Sequence, residues 1–261
     1  MAKIFDFHVH AFPDVIADKA TENLGNFYNF VVECGGKIED LKSSARAADI
    51  DYVLLHATAT TEKQVQSVNN FVAANINSNI FGFGTLHPDF KNPAEEVDRI
   101  MSLGLIGLKL HPDFQQFNAD DDIMEDIYNA IEGKLPLLIH AGDERYDYSS
   151  PLRISRLLDK HPRLTVIAAH LGGYSRWDEV KKYLMGKNVY FDTSSALWRL
   201  SQKEAVEIIR GHGTDKILFG SDYPVTSHKD ELARFYNLGL LDSENKAILF
   251  DNANRLLNLG L

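Results

Sequence analysis

The chain has 261 residues, 44% hydrophobic and 25% charged, proportions that exclude extended disorder and suffice for one large core. Its 27 basic against 37 acidic residues give a formal charge of -10, which repels a phosphate backbone, and no Lys/Arg-rich run offers a local exception, so nucleic acid is excluded as a partner. No apolar run approaches the thickness of a bilayer and no leader pattern opens the chain, which predicts a soluble, cytoplasmic protein without a membrane partner. The single cysteine, Cys34, excludes an internal disulfide and a cysteine-based zinc knuckle, so any metal must be held by histidines and carboxylates.

The first predicted element is the strand FDFHVH. Alternation puts Asp6, His8 and His10 on one face and Phe5, Phe7 and Val9 on the other. A carboxylate and two imidazoles are costly to bury unpaired, so that face needs partners or a metal ion. Residues 11 to 36 follow, too long for an ordinary βα loop and carrying Phe27, Tyr28 and Phe30. Over a barrel mouth such a segment is either a lid or a helix packed on the rim. Further apolar runs at 51–58, 79–88, 105–112, 135–142, 164–173, 188–196 and 216–224 complete eight strand candidates. Between them lie helical spacings such as Val65, Val68, Val72 and Ile76, or Ile123, Ile127 and Ile131. Asn92-Pro93 with Glu95, Ser175 with Asp178 and Ser201 with Glu204 read as N-terminal caps, and Gly104, Gly133 and Gly186 as stops. Buried strands separated by helices, with no Gly-rich phosphate turn after the first, predict a single-domain α/β fold over 1–261, a (β/α)8 TIM barrel with an enlarged loop after strand 1.

In such a barrel the strand C-termini face the active site. His161 and His212 precede strands and belong to the opposite end, and His228, near a helix start after the eighth strand, reads as a surface residue. The other seven histidines, at 8, 10, 56, 87, 111, 140 and 170, all lie at strand C-termini, with Asp222 at the end of the eighth. Closure places strands one and eight side by side and strand five across the mouth, so His8, His10, His140 and Asp222 can converge on one ion. LHPDF occurs at 86–90 and again at 110–114. Proline biases the residue before it towards extended backbone, so HP ends a strand, and His87 and His56 read as structural. His111 reads as a substrate contact beside the fifth-strand histidine, and Lys109, two positions earlier on the same face, points with it into the barrel or its mouth.

FDFHVH, KLHP, LIHAG, AAHLGG and FGSDYP resemble, in order, the strand-end motifs of the amidohydrolase superfamily. The resemblance is to its amidohydrolase-related branch (amidohydrolase 2), which holds metal-dependent hydrolases and non-oxidative decarboxylases of the aminocarboxymuconate-semialdehyde and γ-resorcylate types. It runs from residue 4 to the closing NANRLLNL. It implies His8, His10 and His140 as metal ligands, Asp222 as a ligand that also exchanges a proton, and His170 beside the metal as the acid/base group or itself a ligand. One divalent transition metal per chain is expected; the donors suit zinc, with manganese or iron able to occupy the same set. Some members carboxylate a fourth-strand lysine to bridge two ions; Lys109 otherwise holds a substrate carboxylate or pairs with an acid such as Asp6.

The activity expected first is hydrolysis of a small amide, lactone or ester by metal-activated water, with Asp222 taking the proton, His170 orienting the water and Asp6 holding a ligand imidazole. The alternative is decarboxylation of a small aromatic or unsaturated acid. Arg145, Arg176 and Arg199 then either pair with the carboxylate or are simply solvated, and Tyr146, Tyr148, Trp177 and Trp198 either wall the ring or pack. A third reading, a non-catalytic metal- or ligand-binding barrel, is set against the presence of His170 beyond a sufficient ligand set. The partner expected is a small-molecule substrate, and the resemblance implies a homo-oligomer, a dimer.

Overall fold

A computed structural model describes residues 3–261. Nine strand segments pair in parallel: β1 (Phe5–His10), β2 (Tyr52–His56), β3 (Ile80–Gly82), β4 (Gly84–Thr85), β5 (Leu108–Leu110), β6 (Leu137–Ile139), β7 (Val166–Ala168), β8 (Tyr190–Asp192) and β9 (Ile217–Leu218). β3 and β4 are one barrel strand interrupted at Phe83, so eight staves result, as the eight apolar runs predict. The ring closes where the Phe7 amide donates to the Phe219 carbonyl at 2.8 Å and the His10 amide to that of Tyr223 at 2.7 Å. Helices cover the outside, as right-handed crossovers of a parallel sheet require. The fold is the expected α/β barrel.

Two apolar clusters separate the barrel interior from the helix-facing layer. Phe5, Phe7, Leu54, Phe83, Leu138, Ile167 and Leu218 fill the interior, whereas Val9, Val53, Leu55, Leu137, Ile139, Val166 and Ala168 pack outwards with helix residues such as Leu41, Val72 and Ile154. This division corrects the reading of β1. Its register against β2 shifts between Asp6 and Val9, and a bulge of one residue swaps the faces beyond it. Phe5 and Phe7 therefore point inwards below the bulge and His8 and His10 inwards above it, while Asp6 joins Val9 on the outer face.

The enlarged segment holds α1 (Asp14–Tyr28), and the ordinary crossover helix α2 (Ile38–Ala47) follows it. Ser201 and Glu204 form the expected capping box, but Asn92 caps without a side-chain bond and Arg176, not Ser175, precedes the helix Trp177–Tyr183. Gly104, Gly133 and Gly186 end helices with positive φ, as predicted. Among the described residues no helix is long and apolar enough to cross a membrane.

Candidate active site at the barrel mouth

His8 and His10 leave the end of β1 and meet Asp222, which follows β9. The His8 Nε2 and His10 Nε2 atoms each lie 3.4 Å from Asp222 Oδ1. The other nitrogen of each ring determines its tautomer. His8 Nδ1 donates to Asp192 Oδ2 at 2.9 Å and His10 Nδ1 to the His56 carbonyl at 3.1 Å, which leaves a lone pair on both Nε2 atoms. Two imidazole lone pairs and a carboxylate oxygen thus face one another, an array of acceptors that a cation reconciles. Burial pushes the His8 imidazole down to about 4, with Lys109 adding to the effect. Burial opposes ionisation of Asp192 and Asp222. Even so, His8 holds Asp192 at about 2, and His8, His10 and His170 hold Asp222 well below the carboxylate range. Deprotonated donors of this kind fit a divalent metal ion.

His140 is brought beside this group through His170. The His140 Nδ1 and His170 Nε2 atoms are 2.9 Å apart, and His170 Nδ1 donates to the Ser194 carbonyl at 2.8 Å. The other His140 nitrogen has no hydrogen-bond partner and lies 3.5 Å from Asp113 Oδ2, a carboxylate that accepts from Ser149 Oγ at 2.7 Å and is pushed up to about 6 by burial. His111 stacks on His140 with ring centroids 4.0 Å apart and meets the Tyr28 hydroxyl of α1 at 3.0 Å. His111, Asp113 and His140 form one cluster of metal-type donors, and His8, His10 and His56 another. His56, read as structural, packs edge-on against both His8 and His10, and neither of its ring nitrogens has a partner.

Backbone strain collects at the same place. His170, Leu171, Tyr174, Ser195 and Asp222 take φ of +61°, +50°, +41°, +50° and +63°, a region that costs a non-glycine residue about 1–3 kcal/mol. The Trp177 indole donates to the His170 carbonyl at 3.0 Å, and Ser195 Oγ to Asp222 Oδ2 at 2.5 Å, which holds both side chains in the mouth. Gly142, at φ +76°, brings the loop after β6 onto the Gly173 carbonyl, where any Cβ would collide.

These groups open on a cavity of about 310 Å³, at the small end of ligand sites. Lys109 stands on its floor, 1% exposed, with Nζ 3.4 Å from His8 Nε2. Burial lowers the ammonium to about 8, and its acidic neighbours are Asp192 and Asp222 rather than Asp6. α1 roofs the cavity with Leu24, Phe27 and Tyr28, which decides between rim helix and lid in favour of a cover. Arg145 is not among the lining residues. Its guanidinium is bidentate to Asp143 at 2.7 and 2.9 Å, donates to the Phe27 carbonyl and lies 4.3 Å from the Phe27 ring centroid, so it ties the loop after β6 to the roof.

Two expectations are corrected by what surrounds β1. Asp6 does not hold the His8 imidazole; Asp192 does. Asp6 Oδ1 instead accepts from the amides of His8 and Ser221, both at 3.0 Å, and so joins the chain segments that carry His8 and Asp222. His228 is no surface residue but fully buried, with Nε2 3.6 Å from Asp6 Oδ2 and Nδ1 2.8 Å from Ser44 Oγ. Glu231, one turn on, is pushed up to about 8 by burial despite Arg234. Because the folded pKa lies above the usual 4.5, its contribution to stability is full below the unfolded value and is lost as pH rises through about 8. Urea unfolding at about pH 6 and about pH 8, compared between the unmodified chain and Glu231→Gln, is expected to show the variant gaining stability relative to the unmodified chain as pH rises, by up to about 1.4 kcal/mol per pH unit. An unchanged slope in the variant would contradict this.

The amidohydrolase family model matches residues 5–259. Among solved structures, 5-carboxyvanillate decarboxylase from Sphingomonas paucimobilis is 16% identical with a TM-score of 0.75 and 99% of each chain covered. A dihydroxybenzoic acid decarboxylase from a Polaromonas species, with bound manganese and the inhibitor 2-nitroresorcinol, is 18% identical with a TM-score of 0.75, covering 100% of this chain and 98% of that one. The 2,6-dihydroxybenzoate decarboxylase from Rhizobium is 18% identical with a TM-score of 0.74 and 100% of each chain covered. At such identities the likeness shows the fold. It also corrects the expectation of hydrolysis as the first activity, since all three are decarboxylases of aromatic acids, and the decarboxylase alternative is carried forward. Nor do the comparisons single out zinc: the metal in the Polaromonas enzyme is manganese.

Proposed function

The chain belongs to the amidohydrolase family, and from that premise we propose that it is a metal-dependent, non-oxidative decarboxylase of a small aromatic or unsaturated carboxylic acid. The observation that carries the reading is Lys109, a buried cation on the floor of a cavity walled by Phe12, Phe27, Phe30, Phe114 and Tyr174, next to the facing lone pairs of His8 and His10. A substrate carboxylate needs a cation where water is excluded, and a planar ring needs aromatic walls.

His8, His10 and Asp222, with His140 from the end of β6, would hold the divalent ion. When bound, it supplies Lewis acidity and positive charge for the oxygens of an acid substrate. Lys109 pairs with the carboxylate, and the rings of the cavity hold the substrate plane. The bond to the carboxylate carbon breaks, carbon dioxide leaves, and the electron pair left on the substrate carbon takes up a proton. The His140–His170 pair, sharing a proton between nitrogens 2.9 Å apart, is the source of that proton. The Ser194 carbonyl keeps the His170 Nδ1 proton out of the transfer, and burial, only partly offset by Asp222 and Asp192, lowers the His170 imidazole and so makes its cationic form a stronger acid. α1 lines the roof of the site with Leu24, Phe27 and Tyr28.

The experiment is carbon dioxide release from a panel of hydroxybenzoates and unsaturated acids by manganese-loaded protein. Release that stops with a chelator and returns with manganese or zinc is the expected result. Metal-loaded protein that binds these acids and releases none would overturn the reading.

A further inference from the structure

Lys109 is the only lysine or arginine among the described residues that line the cavity. The arginines that the surrounding loops supply lie outside the lining. Arg145 is held bidentate by buried Asp143, Arg176 pairs with Glu179 and Asp147, and Arg199 is held behind the wall, stacked on the rings of Tyr174 and Trp198 and donating to the Tyr174 hydroxyl at 3.2 Å. Positive charge is therefore confined to the floor. The roof and far wall, from Phe12, Leu24, Phe27, Phe30, Phe114 and Val225, are apolar, and the neutral side chains of Asn23, Thr58 and Thr60 provide hydrogen bonds there.

From this distribution we infer that the site takes aromatic or unsaturated acids with a single carboxylate and uncharged ring substituents, and rejects dicarboxylates. The inference rests on the decarboxylase reading for which end of the substrate reaches the floor. One carboxylate finds Lys109 there. A second, on the opposite side of a ring, is driven against phenyl and aliphatic walls with no cation in reach, and a buried unpaired carboxylate is among the most costly groups to accommodate. A hydroxyl or methoxy group at the same position carries no such penalty, because a threonine hydroxyl or the Asn23 amide can meet it.

The test is calorimetric titration of the manganese-loaded full chain with 2-hydroxybenzoate and with the same acid bearing a second carboxylate at ring position 4, opposite the first. The monoacid is expected to bind at least about tenfold more tightly. Leu24→Arg, which places a cation in the roof, and separately Thr60→Arg, at the rim, are each expected to narrow that gap, the second guarding against a roof helix that fails to fold. Equal or tighter binding of the diacid by the unmodified chain, no binding of either acid, or an unchanged gap in both variants would overturn the inference. Because the readout is binding, a monoacid preference without carbon dioxide release would support it while the decarboxylase reading failed.

Discussion

Replacing His8 and His10 together with alanine is expected to lower metal content from near one equivalent per chain to near zero and turnover to background. Both rings present an Nε2 lone pair to Asp222 Oδ1 across 3.4 Å, and both are locked in that tautomer from behind, by Asp192 and by the His56 carbonyl. Removing them leaves a single carboxylate beside His140 and His170, which are paired with each other, and an unpartnered His56. The supporting carboxylate gives a graded version of the same result. Asp192→Asn keeps the shape but can no longer accept from His8 Nδ1 as an anion, and metal affinity is expected to fall about 10–100-fold, the usual effect of losing such a partner. Elemental analysis and competition with a chelator measure both. A double variant that retained its metal would place the ion elsewhere, with the His111, Asp113 and His140 cluster the first place to look.

His170→Asn separates chemistry from metal binding. Asparagine tolerates the φ of +61° at this position better than other side chains of its size, so the fold and the ion are expected to persist. What is lost is the nitrogen that shares a proton with His140 Nδ1 at 2.9 Å. Turnover is expected to fall about 10²–10⁴-fold, the range for a positioned acid/base group, with metal content unchanged and KM altered little, since Lys109 and the aromatic walls remain. Turnover within a few-fold of the unmodified chain would show that another group delivers the proton.

The fold was legible because eight apolar runs, separated by helical spacings, leave little choice but a closed parallel barrel. His8, His10 and Asp222 were legible because strand C-termini of such a barrel share one mouth. The face of Asp6 was not. Alternation assumes an unbroken strand, and the bulge between Asp6 and Val9 is set by pairing with β2, which no local pattern reveals. That error also assigned to Asp6 the role that Asp192 fills. A signal for Asp192 did exist, since FDTSS ends the seventh stave as GSD ends the eighth, and the same rule that selected Asp222 applies to it. Arg145 illustrates the opposite limit. Its place in a mouth loop suggested a carboxylate partner, but Asp143, two residues away, engages it first. The contacts of Tyr28 and Tyr174 depend on how a long segment and a strained loop fold over the mouth, a matter of tertiary packing rather than spacing.

The most direct test of decarboxylation at this site is turnover of a hydroxybenzoate in deuterium oxide by the manganese-loaded chain, followed by mass spectrometry and proton NMR of the product. One carbon dioxide released for each substrate consumed, with a single deuteron on the carbon that carried the carboxylate, is the predicted result. A product that keeps its carboxylate carbon, with no deuteron at that position, would contradict it.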